Sequence, residues 1–366
     1  MPREKIHLMR PFVGAEELEA IKYIFDTKFL TEGEATKKFE QEFAKYVGAR
    51  YAVAVTSCTT GMELCLRALD LGIGDKIIVP DFTHPATADC VYAVGAVPLL
   101  ADVDLYTYNM DVEMLEIASE QGDAVIPVSW GGNPLHEDFY SVCREICLPV
   151  IEDAACSVGA QVNGSKVGSL ADMTVFSFHP RKVMTTGEGG IITTNNKGLY
   201  ERLVSSKNFG SFGGSFVNWG TNGKLCNILA AVGLAQLAKL DVNLEIRIAK
   251  AKRYNDLFAG VDYISPPLIF DNTRQTFQSY CIYVHEDGWR DRLRADLAAR
   301  GIETQIGTYA LHLEQFFIST PRISPLVRSE MLARNLLTLP LHHELTDDDQ
   351  DYVVDSIKGL LRGYET

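Results

Sequence analysis

Seven short apolar runs recur along the first half of the chain: YAVAV at 51, KIIVP at 76, VPLL at 97, AVIPV at 124, PVIED at 149, TVFSF at 174 and GIITT at 190. Each is short for a helix and has no polar face, so each predicts a strand buried on both sides. Between them apolar residues take helical spacing, as in GMELCLRALDLG, where Met62, Cys65, Leu66 and Leu69 share one face. Strands alternating with helices require crossovers, and crossovers set neighbouring strands parallel. The expected fold is α/β, a large domain around a mostly parallel seven-stranded sheet.

Two helices precede the first strand, AEELEAIKYIFD and EATKKFEQEFAKYV, the second placing Phe39, Phe43, Tyr46 and Val47 on one face. Near residue 240 the texture changes. One long helical stretch, NILAAVGLAQLAKLDVNLEIRIAKAKRYNDLF, gives way to a loop, then QSYCIYV, the helix-like RDRLRADLAARG, the strand-like IETQI and a final helix TDDDQDYVVDSIKGLLRGY. A chain of 366 residues exceeds one ordinary core. The expected division is a large α/β domain over residues 1–240 and a smaller α+β domain over 241–366.

Charge narrows the function. With 34 Lys and Arg against 48 Asp and Glu the net charge is −14, without a long basic run, which argues against an electrostatic grip on nucleic acid. A phosphate-bearing ligand must then be held by local donors. The start MPREKIHLMRPFVG has no signal-peptide core, and no run is long enough for a membrane helix, so a cytoplasmic protein is expected. The eight cysteines are scattered through regular elements and read as reduced, mostly buried thiols. Cys143 and Cys147 lie one helical turn apart, but no second pair or nearby histidine completes a ligand set, and no metal is expected.

Three features sit at strand ends. After YAVAV, Ser57 to Thr60 open a helix, where free backbone N–H groups favour an anion; their hydroxyls also suit an ordinary N-cap. VIEDAA ends a strand with two acids, one facing a pocket and the other away because strand side chains alternate; an N-cap role fits as well. Lys182 follows TVFSF. Taken out of water, its amine is expected to have a lowered pKa and to become nucleophilic toward an aldehyde. The following TTGEGG permits a tight backbone turn. Anion cradle, carboxylate and lysine in that order on one sheet match the needs of pyridoxal phosphate: phosphate, ring nitrogen and aldehyde.

The stretches FEQEFAKYVGARYAVAVTSCTTGMEL, GDKIIVPDFTHPATADCVYAVGAVPLLADVD, VIEDAACSVGAQVNGSKVGS, TVFSFHPRKVMTTGEGGIITT, AAVGLAQL and LTLPLHHELTDDDQDYVV resemble the DegT/DnrJ/EryC1/StrS family of nucleotide-sugar aminotransferases. The resemblance implies the aspartate aminotransferase fold, fold type I, and a homodimer with active sites at the subunit interface. It implies that Lys182 forms the Schiff base and shuttles a proton, that Asp153 pairs with the pyridine nitrogen, and that Ser177, Thr59 and the backbone at Cys58 bind the phosphate. Asn222, in GTNGKL, corresponds to an asparagine reaching the phosphate from the partner subunit. Tyr309 and His312 match a segment near the sugar. Four positions depart from the usual pattern: Cys58, His84 where an aromatic commonly stacks on the ring, Cys156 near the cofactor's hydroxyl, and Lys224 for an arginine. Helix capping for His84, core packing for Cys156 and solvation for Lys224 fit equally. His342 and His343 read as capping and surface residues.

The expected activity is a ping-pong transfer of an amino group from L-glutamate to a keto sugar on a nucleoside diphosphate. A sugar dehydratase of the same family is the alternative enzyme, although members doing that chemistry typically lack the lysine. A regulatory protein that has kept the fold without turnover is the alternative outside catalysis.

Overall fold

A computed structural model describes residues 4–365. The seven predicted strands all form: β1 (Tyr51–Val55), β2 (Lys76–Pro80), β3 (Val97–Ala101), β4 (Ala124–Val125), β5 (Ile151–Asp153), β6 (Met173–Ser177) and β7 (Gly190–Thr194). Their pairings run β1–β7–β6–β5 and β3–β2–β4, and parallel bridges Val125 to Val150 and Val128 to Asp153 join β4 to β5. Six strands point one way. β7 runs antiparallel between β1 and β6, with Gly190 opposite both Val55 and Ser177. The reason lies in the connection: residues 178–189 contain no helix, so the chain turns back beside β6 instead of crossing over. That turn carries Lys182.

Helices cover the sheet. The helix Cys58–Ala68 buries Met62, Cys65 and Leu66 against Val53, Val175 and Ile192. On the other face Phe39, Phe43 and Val47 of the helix Glu34–Val47 pack with Phe176, Phe178 and Ile191, the rings of Phe43 and Phe176 meeting edge-on at 5.1 Å.

A separate apolar cluster gathers Tyr254, Tyr280, Ile282, Leu293, Leu337 and Ile357 from the C-terminal part. Ile6 joins it and bridges Ile302, so the start of the chain lies against residues distant in sequence. The long helical stretch is two helices, Asn227–Ala238 and Leu240–Phe258, broken at Lys239. No proline or glycine marks this break; Lys239 instead reaches Glu17 at 2.8 Å. The strand-like IETQI contributes only Gln305–Ile306. His342 is buried, not a surface or capping residue: its Nε2 lies 3.1 Å from the His7 carbonyl, and burial pushes its pKa down to about 4. Thr346 caps the last helix in its place, accepting from the Asp349 N–H at 3.1 Å. All eight cysteines are free thiols, five of them buried.

Candidate active site

The ends of β1, β5 and β6 and the start of β7 lie at one end of the sheet. Ser57 leaves β1 in extended conformation, and its Oγ accepts the Thr60 N–H at 3.1 Å. This N-cap aims the first turn of the helix, Cys58 and Thr59 included, at the end of the sheet. The close approach depends on Gly190: a Cβ there would stand 2.7 Å from the Cys58 nitrogen and 2.9 Å from the Phe176 carbonyl. Ser177 faces Gly190 across the ladder, and its Oγ accepts the His179 N–H at 3.3 Å.

At the end of β5 the two acids point opposite ways, as strand alternation requires. Asp153 is 5% exposed; its Oδ2 accepts from Thr87 Oγ1 at 2.9 Å, and its Oδ1 accepts the Ala155 N–H at 3.1 Å and lies 3.9 Å from Cys58 Sγ. Glu152, fully buried on the other face, accepts from the Ser129 hydroxyl and from Thr174 at 3.4 Å. Burial pushes its pKa up to about 7.

Lys182 is half-buried, with Nζ 3.2 Å from Cys156 Sγ. Burial alone lowers an ammonium's pKa, the expectation from sequence. Here Cys156, then Asp153 and Cys58, outweigh it, and the net shift is upward. The lowered amine is therefore corrected: with sulfur and carboxylate around it, this lysine favours its proton.

Three amide side chains from distant elements fix the Lys182 loop. Gln278 accepts the Val183 N–H at 2.8 Å and donates to the Arg181 carbonyl at 2.6 Å; Asn243 donates to the Val183 carbonyl at 2.7 Å; Gln236 accepts the Thr185 N–H at 3.2 Å. Gly187, at φ 91°, closes the turn as only glycine does readily. Sequence reasoning missed these amides and Thr87. The one signal available was a buried Gln and Asn within apolar helical faces.

His84 does two things. Its Nδ1 accepts the Ala86 N–H at 3.2 Å, capping the next helix, and its ring stands edge-on to Tyr309 at 6.4 Å. Burial and the Lys182 charge lower its pKa. Tyr309 reaches this place because its strand pairs with Thr83. His312 does not join them. It is buried, with Nδ1 2.7 Å from Asp81 and Nε2 3.2 Å from Glu330, so both ring nitrogens are occupied and the expected substrate contact is corrected to a structural role. Asn222 is exposed, on a segment held to the end of β1 by the Thr56 N–H to Gly223 carbonyl bond at 3.1 Å. Lys224 is bonded, not merely solvated: its Nζ donates to Asn208 at 3.0 Å and lies over the Phe209 ring.

These residues fit pyridoxal phosphate. A helix N-terminus with a glycine-enforced close approach suits a phosphate, a buried carboxylate suits a protonated ring nitrogen, and a half-buried lysine suits the aldehyde.

Comparison with known proteins agrees. The chain is 30% identical to the spore coat polysaccharide biosynthesis protein SpsC of Bacillus subtilis, covering 96% of each. It superposes on the aminotransferase TlmJ of Streptoalloteichus hindustanus with a TM-score of 0.92 at 28% identity, over 99% of this chain and 100% of that one. With DesV of S. venezuelae the TM-score is 0.90 at 31% identity, over 97% and 99%. Residues 11–358 match the family model throughout, and the protein belongs to the DegT/DnrJ/EryC1/StrS aminotransferase family of pyridoxal phosphate-dependent sugar aminotransferases.

Proposed function

We propose that the protein moves the amino group of L-glutamate to a keto sugar carried on a nucleoside diphosphate, as a cytoplasmic homodimer. Residues 1–240 form the cofactor-binding part and residues 241–366 a smaller part that supplies Gln278 to the Lys182 loop. The observation that carries this reading is the meeting of Lys182, Asp153 and the Cys58 helix end at one end of the sheet.

Bound pyridoxal phosphate supplies an aldehyde that carries the amino group and a ring that takes up an electron pair. Asp153 holds a proton at the ring nitrogen, and Thr87 with the Ala155 N–H fixes that carboxylate. The Cys58 and Thr59 turn, with Ser177, holds the phosphate, and Asn222 of the partner subunit completes that contact. Lys182 holds the aldehyde at rest. With its Nζ free, Lys182 would be the group placed to take the proton from the donor's α-carbon and to give one to the sugar carbon that comes to bear the amino group. His84 would meet the ring and Tyr309 the sugar, a reading that the edge-on contact of the two side chains supports. The glycan-related role in the name of SpsC supports a sugar acceptor. No helix among the described residues is long and apolar enough to cross a membrane, in keeping with a cytoplasmic site.

The test is a panel of nucleoside-diphosphate keto sugars incubated with ¹⁵N-glutamate and read by mass spectrometry. A labelled amino sugar is expected. Loss of water without gain of nitrogen would replace transfer with dehydration.

A further inference from the structure

Lys182 Nζ and Cys156 Sγ stand 3.2 Å apart. Three thiols surround the Lys182–Asp153 pair, and two are shielded: Cys58 and Cys90 are buried, with pKa values pushed well up by burial. Cys156 differs in being partly exposed, and it lies on the connection just after β5. Reactivity of a thiol follows exposure and neighbouring positive charge, and Cys156 has both. An oxidised sulfur next to an amine is electrophilic, and the amine that would meet it is Lys182.

We propose that Cys156 and Lys182 form a reversible oxidative cross-link, a sulfur–nitrogen bond made in the presence of a peroxide. The sulfur first attacks the peroxide: an S–O bond forms, the O–O bond breaks and water leaves, so the thiol becomes a sulfenic acid as the peroxide is reduced. Nζ gives its extra proton to solvent and then attacks that sulfur; the S–N bond forms, the S–O bond breaks, and the hydroxyl leaves as water with a second proton from nitrogen. One thiol, one amine and one peroxide thus give one S–N link and two waters. Two equivalents of an added thiol reverse it, regenerating amine and thiol and leaving a disulfide. Bond formation needs only the pair; its consequence, a lysine unable to take an aldehyde, rests on the function proposed above. The free amine is the reactive partner, so cofactor bound at Lys182 protects.

The experiment treats the full-length protein with hydrogen peroxide, with and without added pyridoxal phosphate, and maps it by mass spectrometry after proteolysis. Without cofactor, the peptides carrying Cys156 and Lys182 are expected joined, lighter than their sum by two hydrogen atoms, uncleaved after Lys182 and separated by dithiothreitol. Cys156→Ser should lose the link and Cys58→Ser should keep it. Sulfinic acid on Cys156 with Lys182 unmodified, a link that retains oxygen, a Cys58–Cys156 disulfide, or no change in mass each overturns the proposal. Protection by pyridoxal phosphate reads the other claim separately: a link that forms equally with cofactor present leaves the cross-link standing and counts against the Lys182 role.

Discussion

At the residue scale the two adjacent acids separate by environment. Strand alternation made it legible that one of Glu152 and Asp153 faces the site, and the buried partners identify which: Thr87 and Cys58 for Asp153, Ser129 and Thr174 for Glu152. Glu152 carries a prediction. Its pKa rises from 4.5 to about 7 in the fold, so the folded protein keeps a proton that the unfolded chain gives up across that window. Stability therefore falls as pH climbs from 4.5 to about 7 and levels off above it. Glu152→Gln should match the parent near pH 4.5 and exceed it by up to ~3 kcal/mol at pH 8 in thermal or urea unfolding. An equal effect at both pH values would contradict this. The direction of the Lys182 shift was not legible, because Cys156 comes from a different loop and no local pattern ties the two. His312 misled for a similar reason: its partners Asp81 and Glu330 are distant or on another helix.

At the scale of elements the strands were legible because each apolar run is bounded by turn residues, and the helix starts because Ser57 and Thr346 are good caps. The reversal of β7 was open to the same reading, since TVFSF and GIITT are separated by turn residues without helical period. The break at Lys239 was not, since a tertiary ion pair accompanies it. Gly190 couples the elements of the site tightly, because what a Cβ would meet is backbone of the Cys58 turn and of β6. Gly190→Ala should destabilise the protein by about 1–3 kcal/mol, as overpacking does, and should loosen the phosphate cradle. Thermal unfolding and retention of the yellow cofactor on dialysis report the two effects; retention and stability both unchanged would show that the close approach is unimportant.

For the whole molecule, the segment from Phe209 to Trp219 bears on assembly. Phe209, Phe212, Phe216, Val217 and Trp219 are all exposed on the single chain, Phe216 at 78%. Clustered exposed apolar side chains mark an interaction surface, and in the proposed homodimer the partner subunit covers this one, close to Asn222. Two inactive variants test that geometry: Lys182→Ala and Asn222→Ala, mixed and allowed to exchange subunits, should regain transamination, because one hybrid site then holds both wild-type residues. No recovery, with exchange shown by sedimentation or mass, would place Asn222 in its own chain's site. The account as a whole turns on one covalent bond. Borohydride reduction of the protein with pyridoxal phosphate, followed by peptide mapping, should put the reduced adduct on Lys182 and should find none in Lys182→Ala. An adduct on another lysine, or undiminished labelling of the variant, would contradict the account.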